Sequence, residues 1–411
     1  MSWYHISGRK WQDCNVAVAV LLILVIVAAS PCLAKKAKDE SPESVLFWVS
    51  PDGDVFVQET RRMSGLFARR KRSTTGVLLR LRWPPTVIFK DLPEEPVLSD
   101  PNGSVHFIGG ERLLAVTEQK AGEDDFRVLF WDGIDGTWRL LAPMATLDPV
   151  RSICRTTIGP KRWFALSAPD DGFRVCGFLL DDYLSDVKKK LCINCPEARM
   201  PRGVIQNADG NLACIVMTPS KGAASTKVVD LAKPKEKAPA EVEVAVFDMT
   251  STDRSIESQG RKTFVLGPKE PSHIVALGDT FLCGFEGKTS YRILGFKLAG
   301  GKVERLKTEF EAPRLSGSVK VILSPSIHND GFMLVDCDGK TAVVRKLSAS
   351  LAEVGKWTLS IPKEVELPIE HLVFNEKMGF LHISDSKGKI DVCTVPGSSD
   401  VLWPLKVKAQ R

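Results

Sequence analysis

The sequence predicts an all-β chain of repeated four-stranded modules, and three observations carry that expectation. Runs of four to seven residues alternate apolar and polar side chains, the period of half-buried strands, and Gly, Asp and Pro break them. Long amphipathic helical patterns are nearly absent. Modules opening on a Pro or Gly turn recur near Val45, Ser104, Arg151, Arg202, Ser272, Ser318 and Glu370. Most openings lie roughly 50 residues apart, close to the roughly 40 to 50 residues of a four-stranded propeller blade. The expected architecture is one β-propeller domain over residues 45–405, with six or seven four-stranded blades, seven preferred.

The N-terminal hydrophobic leader spans residues 1–34. Val16 to Ala29 is wholly apolar and is followed by Ser30-Pro31-Cys32-Leu33-Ala34 and then Lys35-Lys36. The run is shorter than the ~20 residues of a spanning helix, so it reads as a signal peptide cut after Ala34, or else as an uncleaved signal-anchor. Either places the chain in the secretory pathway, extracellular or membrane-anchored, with the leader as a membrane tether in the second case. Residues 35–44 are a linker and 406–411 a basic tail.

Within the domain, Val45 to Phe56 is two apolar runs about a Pro-Asp-Gly turn, and Gly76 to Phe89 supplies two more segments. The second module shows four strands: Val105 to Ile108, Leu113 to Val116, Arg127 to Trp131 and Thr137 to Leu141. The third carries RWFALSA, FRVCGFLL and KKKLCI, with Asp181 to Lys190 able to form a helical turn. The fourth holds NLACIVM, VEVAVFDM and KTFVL, interrupted by a Lys-, Ala- and Pro-rich insertion over 219–240 that reads as a solvated loop. The last three modules follow with TFLCGFE and YRILGFKL, GFMLVDCD and AVVRKL, and GFLHISD and IDVCTV. The seventh is short and the first irregular, so one is expected to complete the other where the ring closes.

Charge and cysteines bound the function. The formal charge of +6 over 411 residues comes from 56 Lys and Arg against 50 Asp and Glu, well mixed, so no nucleic-acid partner is expected. Eight cysteines follow the leader, an even number that an oxidising lumen permits to pair. Cys192 and Cys195 are the close pair and the disulfide candidates, while Cys176, Cys214, Cys283 and Cys393 sit in apolar strands as small hydrophobes. A zinc site needs a second such pair or nearby histidines, so neither metal nor cofactor is expected. Asn102-Gly103-Ser104 is a glycosylation sequon, and Arg69-Arg70-Lys71-Arg72 reads as a dibasic processing site or a solvated hairpin tip.

The module openings give the functional clue. His106, Arg151, Arg202, His273, Lys320 and His371 each follow a turn at the start of a module. First strands of propeller blades line the central channel, so these side chains either gather at its mouth as a ligand-binding set or merely solvate strand ends. Gathered, they favour an anionic small molecule, an acidic glycan or an acidic protein surface.

Trp131-Asp132-Gly133-Ile134-Asp135-Gly136-Thr137-Trp138 resembles the Asp-box hairpin of sialidases and related propellers, though without the Ser and the Gly spacing of that motif. With Gly109-Gly110 and Pro143-Met144, the same stretch is similar to a kelch repeat. The sialidase resemblance implies a Tyr nucleophile paired with Glu and an arginine cluster; Tyr291 with Glu286 is the best pair on offer, and no arginine motif matches. A Gly-x-Ser-x-Gly elbow is absent. The expected role is therefore non-enzymatic binding of a protein or glycan, with a sialidase-like glycosidase, degenerate or active, as the alternative and a kelch-type adaptor as a third class.

Overall fold

The computed structural model describes residues 44–49, 55–62, 74–82, 86–91, 105–107, 113–119, 126–132, 137–140, 153–158, 163–167, 173–180, 187–220, 239–385, 389–394 and 399–403. Among the described residues all regular structure is β-strand, arranged in seven sheets. The first sheet is β1 (Ser44–Val49), β2 (Val55–Arg62), β3 (Thr74–Arg82) and β4 (Thr86–Asp91). The second is β5 (Val105–Phe107), β6 (Leu113–Gln119), β7 (Phe126–Asp132) and β8 (Thr137–Leu140). The third holds β9 (Ile153–Ile158), β10 (Trp163–Ser167), β11 (Arg174–Leu180) and β12 (Val187–Asn194). The fourth holds β13 (Arg199–Gln206), β14 (Leu212–Pro219), β15 (Ala240–Asp248) and, after the short β16 (Ser255–Glu257), β17 (Gly260–Gly267). The fifth runs through β18 (His273–Leu277), β19 (Thr280–Glu286), β20 (Ser290–Ala299) and β21 (Lys302–Pro313). The sixth runs through β22 (Lys320–Pro325), β23 (Phe332–Cys337), β24 (Thr341–Leu347) and β25 (Glu353–Ser360). The seventh comprises β26 (Ile369–Asn375), β27 (Phe380–Asp385), β28 (Ile390–Thr394) and β29 (Ser399–Trp403).

Apart from β16, each sheet is an antiparallel meander of strands in chain order, and its first strand begins within a few residues of a predicted module opening. The tight hairpins follow local chemistry. Ala299 pairs with Lys302 across Gly300-Gly301, whose φ of 55° and 79° supply the two left-handed residues of a type I′ turn. Two expectations are corrected. The first and seventh sheets each have four strands of their own, so neither completes the other. Val187–Asn194 is strand throughout, so the helical turn expected over Asp181 to Lys190 does not extend into it.

The core lies between sheets. In β14, Ala213, Ile215 and Met217 pack with Phe164, Leu166 and Leu191 of the third sheet, while Cys214 and Val216 pack with Phe281 and Phe296 of the fifth. β23 behaves likewise: Phe332 and Leu334 face the fifth sheet, and Met333 and Val335 face Leu372 and Ile383 of the seventh. Period-two alternation thus feeds two cores from one strand, which is why these strands are apolar at successive positions. Burial also grades across the sheets. The six residues of β23 are all buried, whereas the fourth strands β21 and β25 are largely exposed. First strands meet one another: β13 contacts β9 and β18, β18 contacts β22, and β1 lies against β26. Neighbouring propeller blades meet through their first strands in this way.

One strand departs from its module. β16 pairs parallel with β12, Ser255 opposite Lys190 and Glu257 opposite Cys192, so the fourth module extends the third sheet.

Candidate functional site

Three of the predicted opening residues lie on the first strands of the fifth, sixth and seventh sheets. His273 opens β18, Lys320 opens β22 and His371 lies near the start of β26. Burial pulls both imidazoles below the usual histidine range, and the Lys320 ammonium acts on each of them in the same direction. Glu286 opposes that shift at His273 and Glu370 opposes it at His371. For His273 this follows from topology, since β18 packs on β22, the strand that Lys320 opens. A backbone hydrogen bond with Val321 further ties His273 to the sixth sheet.

Behind His273 lies a polar cluster. Its Nδ1 is 3.0 Å from the Tyr291 hydroxyl and 3.8 Å from Glu286 Oε1. Glu286 and Tyr291 are cross-strand partners of β19 and β20, and Glu286 Oε2 stands 3.7 Å from Arg314 Nη1. Tyr291 is 2% exposed, and burial, reinforced by Glu286, raises its phenol above the ordinary tyrosine value. Glycine makes the contact geometry possible: a Cβ on Gly284, which is the cross-strand partner of His273, would fall 1.9 Å from the Tyr291 hydroxyl oxygen.

This arrangement corrects the reading of Tyr291 and Glu286 as a nucleophile pair. Tyr291 sits on the third strand of its sheet, packed against Val321 and Leu323 in the core between the fifth and sixth sheets, with its hydroxyl engaged by His273. A nucleophile needs an accessible oxygen and a lowered pKa, and this phenol has neither.

Arg314 was not legible as a site residue. It follows β21, donates from Nη1 to the Gly287 carbonyl at 2.8 Å and from Nη2 to Ser318 Oγ at 3.0 Å, and is 17% exposed. Asp336 accepts from the Leu315 amide at 2.7 Å and from Ser318 Oγ at 2.5 Å, holding that loop. A cleft of about 210 Å³ opens here between the fifth and sixth sheets, lined by Tyr291, Arg314, Asp336, Arg345 and Lys356 among others.

The remaining candidates divide. Arg202 donates from Nε to Thr218 Oγ1 of its own sheet at 2.8 Å and occupies a break in register between β13 and β14. His106 belongs to β5, opposite Ala115, and its side chain lies outside the described residues. Arg151, Asn102 and Arg69 to Arg72 also lie outside them, as do the leader and residues 221–238 of the insertion. Among the described residues no three His, Cys, Asp or Glu side chains group in a way that would hold a metal ion.

The disulfide candidates Cys192 and Cys195 have different surroundings and are not bonded to each other. Cys192 lies on β12, whereas Cys195 stands just past its end. Cys195 is buried with Phe164 and Ile193, whereas Cys192 is half-buried and lies opposite Cys176 across β11 and β12. Cys176 is accordingly not a core hydrophobe like Cys214, Cys283 and Cys393, whose burial pushes their thiols up.

Strand order and the packing between sheets define the protein's class as a β-propeller. No protein-family model matches the chain, and no curated protein matches it. Among solved structures it is similar to the β-propeller domain of the Trilobed protease from Pyrococcus furiosus, at 6% identity over 90% of this chain and 99% of that one, with a TM-score of 0.49. It is similar to the periplasmic gluconolactonase of Pseudomonas aeruginosa at 13% identity over 77% and 87%, with a TM-score of 0.47. It is also similar to TolB from Acinetobacter baumannii at 11% identity over 74% and 63%, with a TM-score of 0.34. Likenesses at this level carry no argument about function.

Proposed function

We propose that this chain is a seven-bladed propeller, closed where the first sheet meets the last, that binds an anionic ligand at one mouth of its channel. An acidic glycan or the acidic surface of a protein is the partner class, and the role is binding rather than catalysis. The apolar run Val16 to Ala29 supports a secreted or membrane-tethered placement. What supports the site is that His273 and Lys320 open β18 and β22, which pack on one another, with His371 near the start of β26, and that the Lys320 charge bears on both imidazoles. Converging cations in a concave, partly desolvated place raise the local concentration of anions.

The pH dependence follows with a definite sign. An anion favours protonated imidazole, so binding takes up protons wherever His273 and His371 are neutral in the unliganded chain, and affinity rises as pH falls. Glu286 and Arg314 face His273, and Glu370 faces His371. The test is calorimetric titration of the full chain with a heparin-derived hexasaccharide, 3′-sialyllactose and inorganic phosphate at pH 7.5 and 5.5. Binding is expected to tighten at the lower pH and to weaken about tenfold in Lys320→Ala, the worth of one charge-assisted contact. Affinity unchanged in Lys320→Ala and in His273→Ala/His371→Ala would remove the site.

A further inference from the structure

We propose that Cys176 and Cys192 form a reversible cross-strand dithiol–disulfide pair, a modification site that exchanges with small-molecule disulfides. The pair is directly opposed in the register of β11 and β12. Opposed residues of antiparallel strands have Cα atoms roughly 4.5 to 5.5 Å apart, within the range that a disulfide spans without backbone movement. Both side chains are half-buried, whereas Cys195, Cys214, Cys283, Cys337 and Cys393 are buried and closed to a reagent.

The surroundings make Cys192 the attacking group. Cys176 donates a hydrogen bond to its sulfur, Ser255 Oγ on β16 lies 3.8 Å away, and Lys190 stands two residues earlier on the same face. Glu257 of β16 opposes these groups, yet the thiol is held down to about 6. Desolvation raises the thiols of Cys195 and Cys337 instead. Cys192 is therefore the thiolate at neutral pH, and selectivity over the other described cysteines is built into the sheet.

The chemistry balances with a small disulfide such as oxidised glutathione. The Cys192 thiolate attacks one sulfur, the small S–S bond breaks, and one glutathione thiolate leaves. Cys176 then loses its proton and attacks the Cys192 sulfur, releasing the second glutathione. Two protein thiols give up two electrons and two protons, and one small disulfide becomes two thiols.

The experiment uses the reduced full chain in graded glutathione buffers, quenched with acid, alkylated and mapped by non-reducing peptide mass spectrometry. A Cys176–Cys192 linkage is expected, unaffected by Cys195→Ser. Cys176→Ser should stop at glutathione on Cys192, and Cys192→Ser should abolish modification, with Cys192→Ala repeating that loss. The alkylation rate of Cys192 should hold down to about pH 6, where an ordinary thiol loses about tenfold per pH unit. Linkage of Cys192 to Cys195 or any other cysteine, or no linkage at any buffer ratio, would overturn the proposal.

Discussion

Gly284 shows how one missing side chain organises a site. Its Cα faces His273 across the hairpin, and the Tyr291 ring from the next strand fills the space above it, reaching the imidazole at 3.0 Å. A methyl group there would collide with the phenol, so Gly284→Ala is expected to lose about 1–3 kcal/mol, the usual cost of overpacking. Tyr291→Phe alone should cost about 1 kcal/mol, one net hydrogen bond. Combined with Gly284→Ala it should recover part of the loss, since the oxygen is the closest atom in the way. Urea denaturation of the three variants measures this, and additive costs would show that the two positions do not interact. At this scale the sequence was only partly legible. His273, Lys320 and His371 were candidates because each follows a turn; Arg314 was not, since it follows a long exposed strand and meets Ser318 and Gly287 only through folding.

Elements were the most legible scale, because a strand writes its period into the chain. The type I′ turn at Gly300-Gly301 is a case in which two residues decide a hairpin. Alanine at either position is expected to cost about 1–2 kcal/mol, as left-handed backbone crowds a Cβ, whereas Gly300→Asn should cost much less. Thermal denaturation of the three variants checks the order; equal stabilities would mean that the turn changes type. β16 was illegible for the opposite reason. Ser255-Ile256-Glu257 is too short to show a period, and its partner β12 belongs to a different module. The cysteines met the same limit, because chain spacing pointed from Cys192 to Cys195, while the residue opposite Cys192 is Cys176 on the neighbouring strand.

At the scale of the whole molecule, buried histidines make stability fall in mild acid. His382 is 0% exposed in β27 and desolvation pulls it down to about 4, only partly offset by a backbone hydrogen bond with Val373. His273 and His371 are lowered as well. The unfolded chain binds protons first at these sites, so stability is fully present above the unfolded value of about 6.5 and is lost as pH falls through the folded values. For His382 the loss is on the order of 3 kcal/mol between pH ~6.5 and ~4. Denaturant midpoints from pH 7.5 to 4 should fall accordingly, and His382→Leu should flatten the slope. A midpoint independent of pH over that range would contradict the assignment.

By itself the sequence determined the all-β class, the recurring four-stranded module and the place where each module opens, since alternation and turn residues are local physics. Only the tertiary structure decided which residues meet. Sheets packed face to face send alternate side chains of one strand to different neighbours, so Tyr291 went to a buried polar cluster and Cys192 to Cys176. The module openings changed meaning in the same way: His273, Lys320 and His371 lie far apart in the chain, yet the Lys320 charge bears on both imidazoles, and β18 packs on β22.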